Sequence, residues 1–557
     1  MMKPLLVEKY LLLPAFIGKR HLRILPWNVG YVPQRSTSLM ITIFVAVNVV
    51  FNFFNFPSFA NDTWYVSSSA LYTSNLANRL SVLAIANLAL AIMLSGRNSI
   101  IMYITGCSRT TILAYHRWAG RVAVIKGVAH AAIYLSTTDR YGVNIFTPVG
   151  ALHYIGCEGS YWNFGIATLG IFAAIALLSL APIRVPWYEA FLIMHVALAV
   201  VGLVTLYYHL SFRFHGQYGY EVWLYVAFAF WGFDRLVRLI RIAVLNYGLM
   251  TRGTPPAKLE LLPGSNFIKV TVYPSTPWAV QPGHYCFLYF SNITWFWESH
   301  PFSIATWDNG AKQSVAAPSY TTSRERASTL DKVELGTGGS GMGSALNPLD
   351  PSEKSVALVQ SQSLRPSITF IIRPCSGITK RLQARLMAAA PGWSPPVLIG
   401  GPYGRSASSV FAAETVLAFA GGVGITGILG YLNDYTSKAT SKTLRNADKS
   451  FRARRFTLHW LVQFKADVEA IKPLLPDANT LTDLDVHVHI FCREERSDRL
   501  QFGDEIRRER DALGQNMSLS VLTCAPPTMS DEIRASAVEA DSRQGATLMF
   551  MEEAFAW

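Results

Sequence analysis

Residues 111–135, TILAYHRWAGRVAVIKGVAHAAIYL, set His116 and His130 fourteen positions apart in one long apolar run. Residues 187–210, WYEAFLIMHVALAVVGLVTLYYHL, repeat the interval with His195 and His209. At 100° per residue, fourteen residues fall about 40° short of four turns, so each pair shares one helix face. A rise of about 1.5 Å per residue separates the two imidazoles of a pair by roughly 21 Å. Imidazole is a common metal ligand and a common axial ligand of haem iron. Two such helices side by side offer two stacked bis-histidine sites, one near each end. One histidine in an apolar helix reads as a helix-packing hydrogen bond; the repeated interval favours ligation.

The surroundings of these stretches are those of a membrane bundle. The chain has 557 residues, 51% of them hydrophobic, and a mean hydropathy of +0.25. The apolar residues concentrate before residue 245, in six expected spans: Leu39–Phe56, Leu76–Leu94, Thr111–Leu135, Tyr161–Leu180, Trp187–Leu210 and Tyr220–Ile242. Each approaches the twenty or so residues that cross a hydrocarbon core. Lys3, Lys9, Lys19, Arg20, Arg23 and Arg35 precede the first span. Arg97 and Arg109, Arg184, and Arg235, Arg238 and Arg241 mark the same side, against only Arg140 and Arg213 opposite. The positive-inside rule then makes the N-terminus and everything after residue 245 cytosolic. Residues 1–38 read as a cytosolic segment, because the apolar run Tyr10–Ile17 is short, broken by Pro14 and lacks a cleavage site.

With one span between them, the third and fifth spans run in the same direction. His116 and His195 share the inner face, and His130 and His209 the outer. Arg117, Arg121 and Lys126 lie in the third span and are costly in lipid; they read as snorkelling, bundle-internal salt bridges or partners of an anionic cofactor. His153 and His215, with Asp139 and Glu158, fall in outer loops as solvated residues or as holders of an external metal. The sequon Asn61-Asp62-Thr63 is also outside, where it accepts a glycan. The net charge of +13 lies largely in short loops and helix ends of this half, which excludes a nucleic-acid reading. The six cysteines show no paired spacing, so neither a disulfide framework nor a zinc site is expected.

The second half has the mixed composition of a globular protein. From Lys258 to Phe290, short alternating runs broken by Pro263-Gly264, Pro274 and Pro282-Gly283 predict a small antiparallel barrel. It leads into His300-Pro301-Phe302-Ser303. From about 305 to 366 the chain is rich in Ser, Thr and Gly and reads as a disordered insertion. A strand at Ser367–Arg373 and a helix opening at Gly377-Ile378-Thr379 follow; the free N–H groups there suit a phosphate or serve an ordinary cap. The strand Pro396–Ile399 enters a turn holding Gly401 and Gly404. The strand Thr415–Ala420 enters Gly421-Gly422-Val423-Gly424-Ile425-Thr426 and a helix to about Leu432, a dinucleotide-type crossover. Strands at Phe456–Phe464, Asp485–Phe491 and Ser518–Thr523 complete a parallel α/β sheet, with Lys438–Arg455 as a solvated loop. The terminal Trp557 follows a strand at Leu548–Met551 and can stack on a planar ring or on the core.

Taken in chain order, these stretches resemble the fungal ferric (metallo)reductases, and more broadly the transmembrane NADPH oxidases and ferredoxin–NADP reductases. The resemblance rests on His116-Arg117-Trp118 with His130, Tyr188-Glu189-Ala190-Phe191 with His195 and His209, His300 to Ser303, Gly401 to Gly404, Gly421 to Thr426, Cys524-Ala525-Pro526 and Phe555-Ala556-Trp557. It implies a multi-span α-helical di-haem membrane domain at 39–245. An FAD-binding β-barrel at 256–396 and an α/β NAD(P)-binding domain of ferredoxin–NADP reductase type at 397–557 would follow. His116 with His195, and His130 with His209, would ligate two b-type haems. His300, Pro301, Phe302, Ser303, Gly377, Ile378 and Thr379 would hold FAD, with Trp557 covering its ring. Gly401, Gly404, Gly421, Gly422, Gly424, Ile425, Thr426, Cys524, Ala525 and Pro526 would receive NADPH.

The activity implied is electron transfer from cytosolic NADPH to ferric or cupric chelates outside, in iron uptake with a permease/oxidase system. The plasma membrane is the expected location, a vacuolar or other internal membrane the alternative. An NADPH oxidase making superoxide is the rival, and a transporter with a regulatory nucleotide domain a more distant one. Two departures stand out. Ala525 replaces the family's usual Gly, and the long leading region of many fungal members is absent. After Phe456–Phe464, Gln463 and Lys465 occupy the place of a phosphate-reading Arg, with Arg493 as a substitute.

Overall fold

The computed structural model describes residues 8–553 apart from 22–31, 57–66, 138–159, 249–256, 276–279, 291–292, 294–297, 309–365, 541–546 and shorter stretches at 376, 391, 405–407, 442–443, 446–447, 449, 496–499 and 515–516. The Asn61 sequon, Asp139, His153, Glu158, Trp557 and most of the expected insertion lie outside the described residues.

All six expected spans are helical. They are α1 (Arg35–Phe53), α2 (Ser68–Ser95), α4 (Arg109–Thr137), α5 (Ser160–Leu178), α7 (Tyr188–Phe214) and α8 (Val222–Leu245), with short helices α3 (Ile100–Thr105) and α6 (Ala181–Arg184) between them. Four of the helices, α1, α2, α5 and α7, are long and apolar enough to cross a membrane. The other two fall short in apolarity because α4 carries Arg117, Arg121 and Lys126, and α8 carries Asp234, Arg235, Arg238 and Arg241. Local chemistry sets the ends. Ser67 accepts the Ala70 N–H at 3.2 Å to start α2, and Gly106 closes α3 in the left-handed conformation, φ 64°. His215 closes α7 in the same way, φ 48°. Large apolar side chains such as Phe51, Ile125, Leu177 and Leu239 point outward and are exposed. Such a surface suits lipid rather than water, and the chain is an integral membrane protein.

The helices pack as α2 on α4, α5 on α7 and α8 on α2. No ion pair of Arg121 or Lys126, read as bundle-internal salt bridges or partners of an anionic cofactor, is seen among the described residues; the pair in the bundle lies elsewhere. Asp234 binds Arg238 and accepts the Asn98 N–H at 2.8 Å. Arg121 lies 5.0 Å over the Trp118 ring.

Beyond the bundle, the described residues hold seven antiparallel strands in two sheets that share one core, and closure into the expected barrel is not seen among them. One has the order β1-β2-β6-β5 and the other β4-β3-β7. The strands are β1 (Ala257–Leu261), β2 (Ile268–Val272), β3 (Tyr285–Phe290), β4 (His300–Ser303), β5 (Thr306–Asp308), β6 (Ser367–Ile372) and, after helix α9 (Gly377–Ala388), β7 (Val397–Tyr403). Both sheets contribute to one core that includes Val270, Leu288, Phe290, Phe370 and Ile399. Two boundaries differ from expectation. Thr306–Asp308 pairs with β6, so ordered chain continues past residue 305. The strand expected to open the nucleotide domain, β7, instead pairs with β3, because its apolar side chains complete the first core.

The last unit is a parallel sheet of order β10-β9-β8-β11-β12. It is built from β8 (Thr415–Gly421), α10 (Ile425–Thr440), β9 (Arg455–Val462), short α11 (Lys465–Ile471) and α12 (Ala478–Asp483), β10 (Val486–Cys492), α13 (Phe502–Asp511), β11 (Ser518–Cys524), α14 (Pro527–Ala540) and β12 (Thr547–Glu552). Every residue of β8 is buried, as a central parallel strand requires. Helix α10 extends beyond the expected Leu432. Lys438, expected in a solvated loop, sits in its last turn, held by Asp434 at 2.9 Å and Asp448 at 2.8 Å.

Asn246, just past α8, joins the bundle to the first soluble unit and is 1% exposed. Its side chain donates to the Ile399 carbonyl at 2.9 Å and accepts the Ile399 N–H at 3.0 Å, as a neighbouring strand would. Asn246→Leu leaves both groups unpaired, at about 1–3 kcal/mol each. Its unfolding in detergent is expected to come at clearly lower denaturant than wild type; equal midpoints would show that the joint carries no stability.

Candidate active site

The imidazoles of His116 on α4 and His195 on α7 face each other, with ring centroids 6.2 Å apart and planes at 70°. A metal midway between two imidazoles, at about 2.0 Å from each nitrogen, puts the centroids roughly 6 Å apart. The Nδ1 of His116 lies 2.8 Å from the Ala91 carbonyl, and that of His130 lies 2.9 Å from the Ala77 carbonyl. Ala77 and Ala91 are themselves fourteen apart, so α2 repeats the interval of α4 in antiparallel register. His209 makes the equivalent bond to the Tyr161 carbonyl at 2.7 Å. A carbonyl can only accept, so these bonds set the proton on Nδ1 and leave Nε2 with its lone pair for a metal. His209 is close enough to His130 to interact with it electrostatically. Its ring occupies a notch at Gly165, where an added Cβ would lie 2.8 Å from Nδ1. At His116 and His195 the donors and their separation fit a bis-imidazole iron, and His130 and His209 present the same donor chemistry.

The flavin-type motif lies against the inner layer. His300 opens β4, and its Nε2 is 3.7 Å from Glu189 Oε1 and 3.5 Å from Glu298 Oε1. Glu189 belongs to the first turn of α7, the helix that carries His195. Glu298 is 8% exposed and also meets Arg381 at 3.3 Å. Ligand atoms of Glu189, Glu298 and His300 lie within 4.8 Å of one another, but Arg381 already supplies a cation there. Arg97 donates to Ser299 Oγ at 3.2 Å and covers the Phe287 ring at 3.4 Å. Glu189 was visible within the quoted stretch, but nothing in its spacing pointed to a partner a hundred residues on.

The other expected flavin residues are placed as follows. Pro301, Phe302 and Ser303 are half-buried along β4. Gly377 starts α9 at φ +57° with open space where a Cβ would stand. Ile378 is buried, and Thr379 Oγ1 accepts the Cys375 N–H at 3.1 Å, which is the ordinary capping use of that hydroxyl. Gly401 and Gly404 sit on the β3 side of the first unit. A Cβ on Gly401 would meet Cys286 Sγ at 2.8 Å, and one on Gly404 the Gly283 carbonyl at 2.7 Å.

The order of the parallel sheet reverses between β8 and β11, and ligands of such sheets bind at the carboxyl ends of the strands flanking that reversal. Gly421 to Thr426 follow β8, and Cys524, Ala525 and Pro526 end and follow β11, so the pairing of the two strands brings the two motifs together. A Cβ on Gly421 would stand 2.4 Å from Pro526 Cδ, and one on Gly424 2.0 Å from the Cys524 carbonyl oxygen. These glycines therefore admit the Cys524–Pro526 backbone. Gly422, at φ +53°, has its carbonyl held by Trp460 Nε1 at 2.9 Å. Ile425 and Thr426 are buried at the start of α10. Missed from the sequence was Glu553, which accepts a bond from the Tyr431 hydroxyl beside Cys524.

Three family models match this arrangement in chain order. They are the ferric reductase like transmembrane component at residues 80–206, an FAD-binding domain at 251–331 and the ferric reductase NAD binding domain at 413–518. The chain belongs to the fungal-type ferric reductase transmembrane family. Ferric reductase transmembrane component 3 of Saccharomyces cerevisiae is 28% identical over 493 residues, covering 87% of this chain and 56% of that protein. Ferric/cupric reductase transmembrane component 2 of the same yeast is 25% identical over 489 residues, with the same two shares. The chain thus spans about half the length of these relatives. Among solved structures, ferredoxin–NADP+ reductase from Plasmodium falciparum is 10% identical with a TM-score of 0.27, covering 53% of this chain and 92% of that one, too low to carry a conclusion.

Burial raises the Glu553 carboxyl from its ordinary 4.5 to about 7. The folded protein then holds a proton that the unfolded chain has released between these values, so stability falls as pH rises from about 4.5 to 7 and levels off above. In Glu553→Gln this slope is expected to flatten, with denaturant midpoints near wild type at pH 4.5 and above it at pH 8. Parallel midpoint curves for the two proteins would assign the proton elsewhere.

Proposed function

We propose that this ferric reductase family member carries electrons from cytosolic NADPH across the plasma membrane to ferric, and also cupric, chelates outside. The observation that supports this most is the twofold fourteen-residue register of α2 and α4, which presents His116 and His130 at two depths with Nε2 free. In this reading His116 with His195, and His130 with His209, hold two b-type haems. His300, Pro301, Phe302, Ser303, Gly377, Ile378 and Thr379 hold FAD, with Trp557 over its ring. Gly401, Gly404, Gly421, Gly422, Gly424, Ile425, Thr426, Cys524, Ala525 and Pro526 form the NADPH side. When bound, the flavin would supply hydride acceptance and the haems one-electron transfer.

The protein's part is position and insulation. The Ala77, Ala91 and Tyr161 carbonyls orient the imidazoles; Glu189, through His300, ties the helix of the inner layer to the flavin motif. Asn246 and Arg241, which donates to the Pro402 carbonyl at 3.1 Å, keep the soluble unit against the inner face. The excess of Lys and Arg in the loops on that side supports a cytosolic position for that unit.

Purified protein is expected to give a reduced-minus-oxidised spectrum with two b-type haems and one FAD per chain; one haem or none would sink the two-layer reading. Intact cells expressing it are expected to reduce ferric chelates without matching superoxide, and the opposite result would make it an oxidase. Gly165→Val drives its side chain into His209 and is expected to remove one haem while NADPH still reduces the flavin. Unchanged haem content in that variant would remove His209 from the ligand set.

A further inference from the structure

We propose that Lys126 sets the reduction potential of the outer histidine site, through a positive charge that the bundle leaves without a counter-ion. The inference rests on reading His130 and His209 as outer haem ligands. Lys126 is 4% exposed, in the middle of α4. It precedes His130 by four residues, about one turn and 6 Å of rise, on nearly the same face. His116 is ten residues away, about 15 Å along the axis.

The ammonium is held entirely by neutral acceptors. Its Nζ donates to the Asn48 carbonyl at 3.0 Å and to Asn52 Oδ1 on α1. Asn87 on α2 steadies this shelf by donating to Asn48 Oδ1 at 2.7 Å, and Asn48 donates to the Phe44 carbonyl at 3.0 Å. Asn48, Asn52 and Asn87 are all buried. An ammonium has donors only, and both atoms it meets are acceptors. Among the described residues no carboxylate stands within ion-pair reach of Nζ.

Burying an unpaired cation among apolar helices is expensive unless a negative charge arrives. Reduction of the outer site supplies one: adding an electron turns a ferric porphyrin core of charge +1 into a neutral ferrous one, with no bond made or broken. A fixed positive charge disfavours the first state and so favours reduction. The effect is stronger at the outer layer than at the inner because Lys126 is nearer to it. The charge therefore biases electron transfer outward. At an effective dielectric of about 20 and a separation on the order of 10 Å, this amounts to roughly tenfold in the reduction equilibrium.

The test is a potentiometric titration of purified protein, with the outer wave assigned as the one lost in His209→Ala. Lys126→Met is expected to lower the outer reduction equilibrium about tenfold, a midpoint about 59 mV lower, and to move the inner one less. Asn52→Asp, which adds a negative charge beside Nζ and keeps the lysine, is expected to shift the outer wave in the same direction. Lys126→Arg is expected to stay within about twofold. A purely structural cross-link between α1 and α4 would lower thermal stability and leave the midpoints in place; that result overturns the proposal. Should Lys126→Met lose haem, Asn52→Asp decides alone, an unmoved wave overturning the proposal. Wild-type protein with one haem overturns the proposed function as well, whereas two haems with an unmoved outer wave overturn only this inference.

Discussion

The hydrogen bonds from His116 and His130 to carbonyls of α2 are the constraint from which the rest of the molecule follows. A mid-helix carbonyl already accepts its own helical N–H, but its second lone pair remains available. Two helices in antiparallel register can spend that capacity twice, at Ala91 and Ala77. In an apolar bundle an imidazole N–H without such a partner costs free energy. The bonds thus hold both rings and tie the two helices at two depths. Opposite them, α5 contributes the Tyr161 carbonyl and the Gly165 notch, so that α7 can bring His209 in from the other side.

The soluble half meets this scaffold at the His116–His195 end through polar groups arranged around an aromatic patch. Tyr285, Phe287 and Tyr403 form a small cluster of their own. Arg97 covers the Phe287 ring, Arg241 lies 5.2 Å over the Tyr403 ring, and His300 reaches Glu189. Arginines at this end of the bundle dock the first soluble unit, since a helix end is where a cation can keep its head partly in water. At the far side of that unit, β8 and β11 bring the glycine turn and the Cys524–Pro526 segment into contact, and Glu553 is buried beside them.

Much of this was legible in the sequence. Periodicity in long apolar runs located all six helices. The interval of fourteen picked out His116 and His195, which the fold brings face to face, and the order of glycine motifs marked two soluble units. Each of these signals is local: a helix repeats every 3.6 residues wherever it is, and the cost of charge in lipid acts on each loop separately.

Contacts between distant segments were decided only by the tertiary structure. Ala77, Ala91 and Gly165 carry no chemistry of their own and matter only through the imidazoles packed on them. The strand Val397–Tyr403 joined β3 because its apolar side chains completed an antiparallel core that the local pattern does not specify. Gly421 and Gly424 also make room for the Cys524–Pro526 segment, a hundred residues on. Glu189, Asn246, Lys126 and Glu553 acquired roles from partners tens to hundreds of residues away. The composition and period of a chain determine which segments must be buried or span a membrane; which atoms then face one another depends on packing, where every buried polar group has to find its partner in three dimensions.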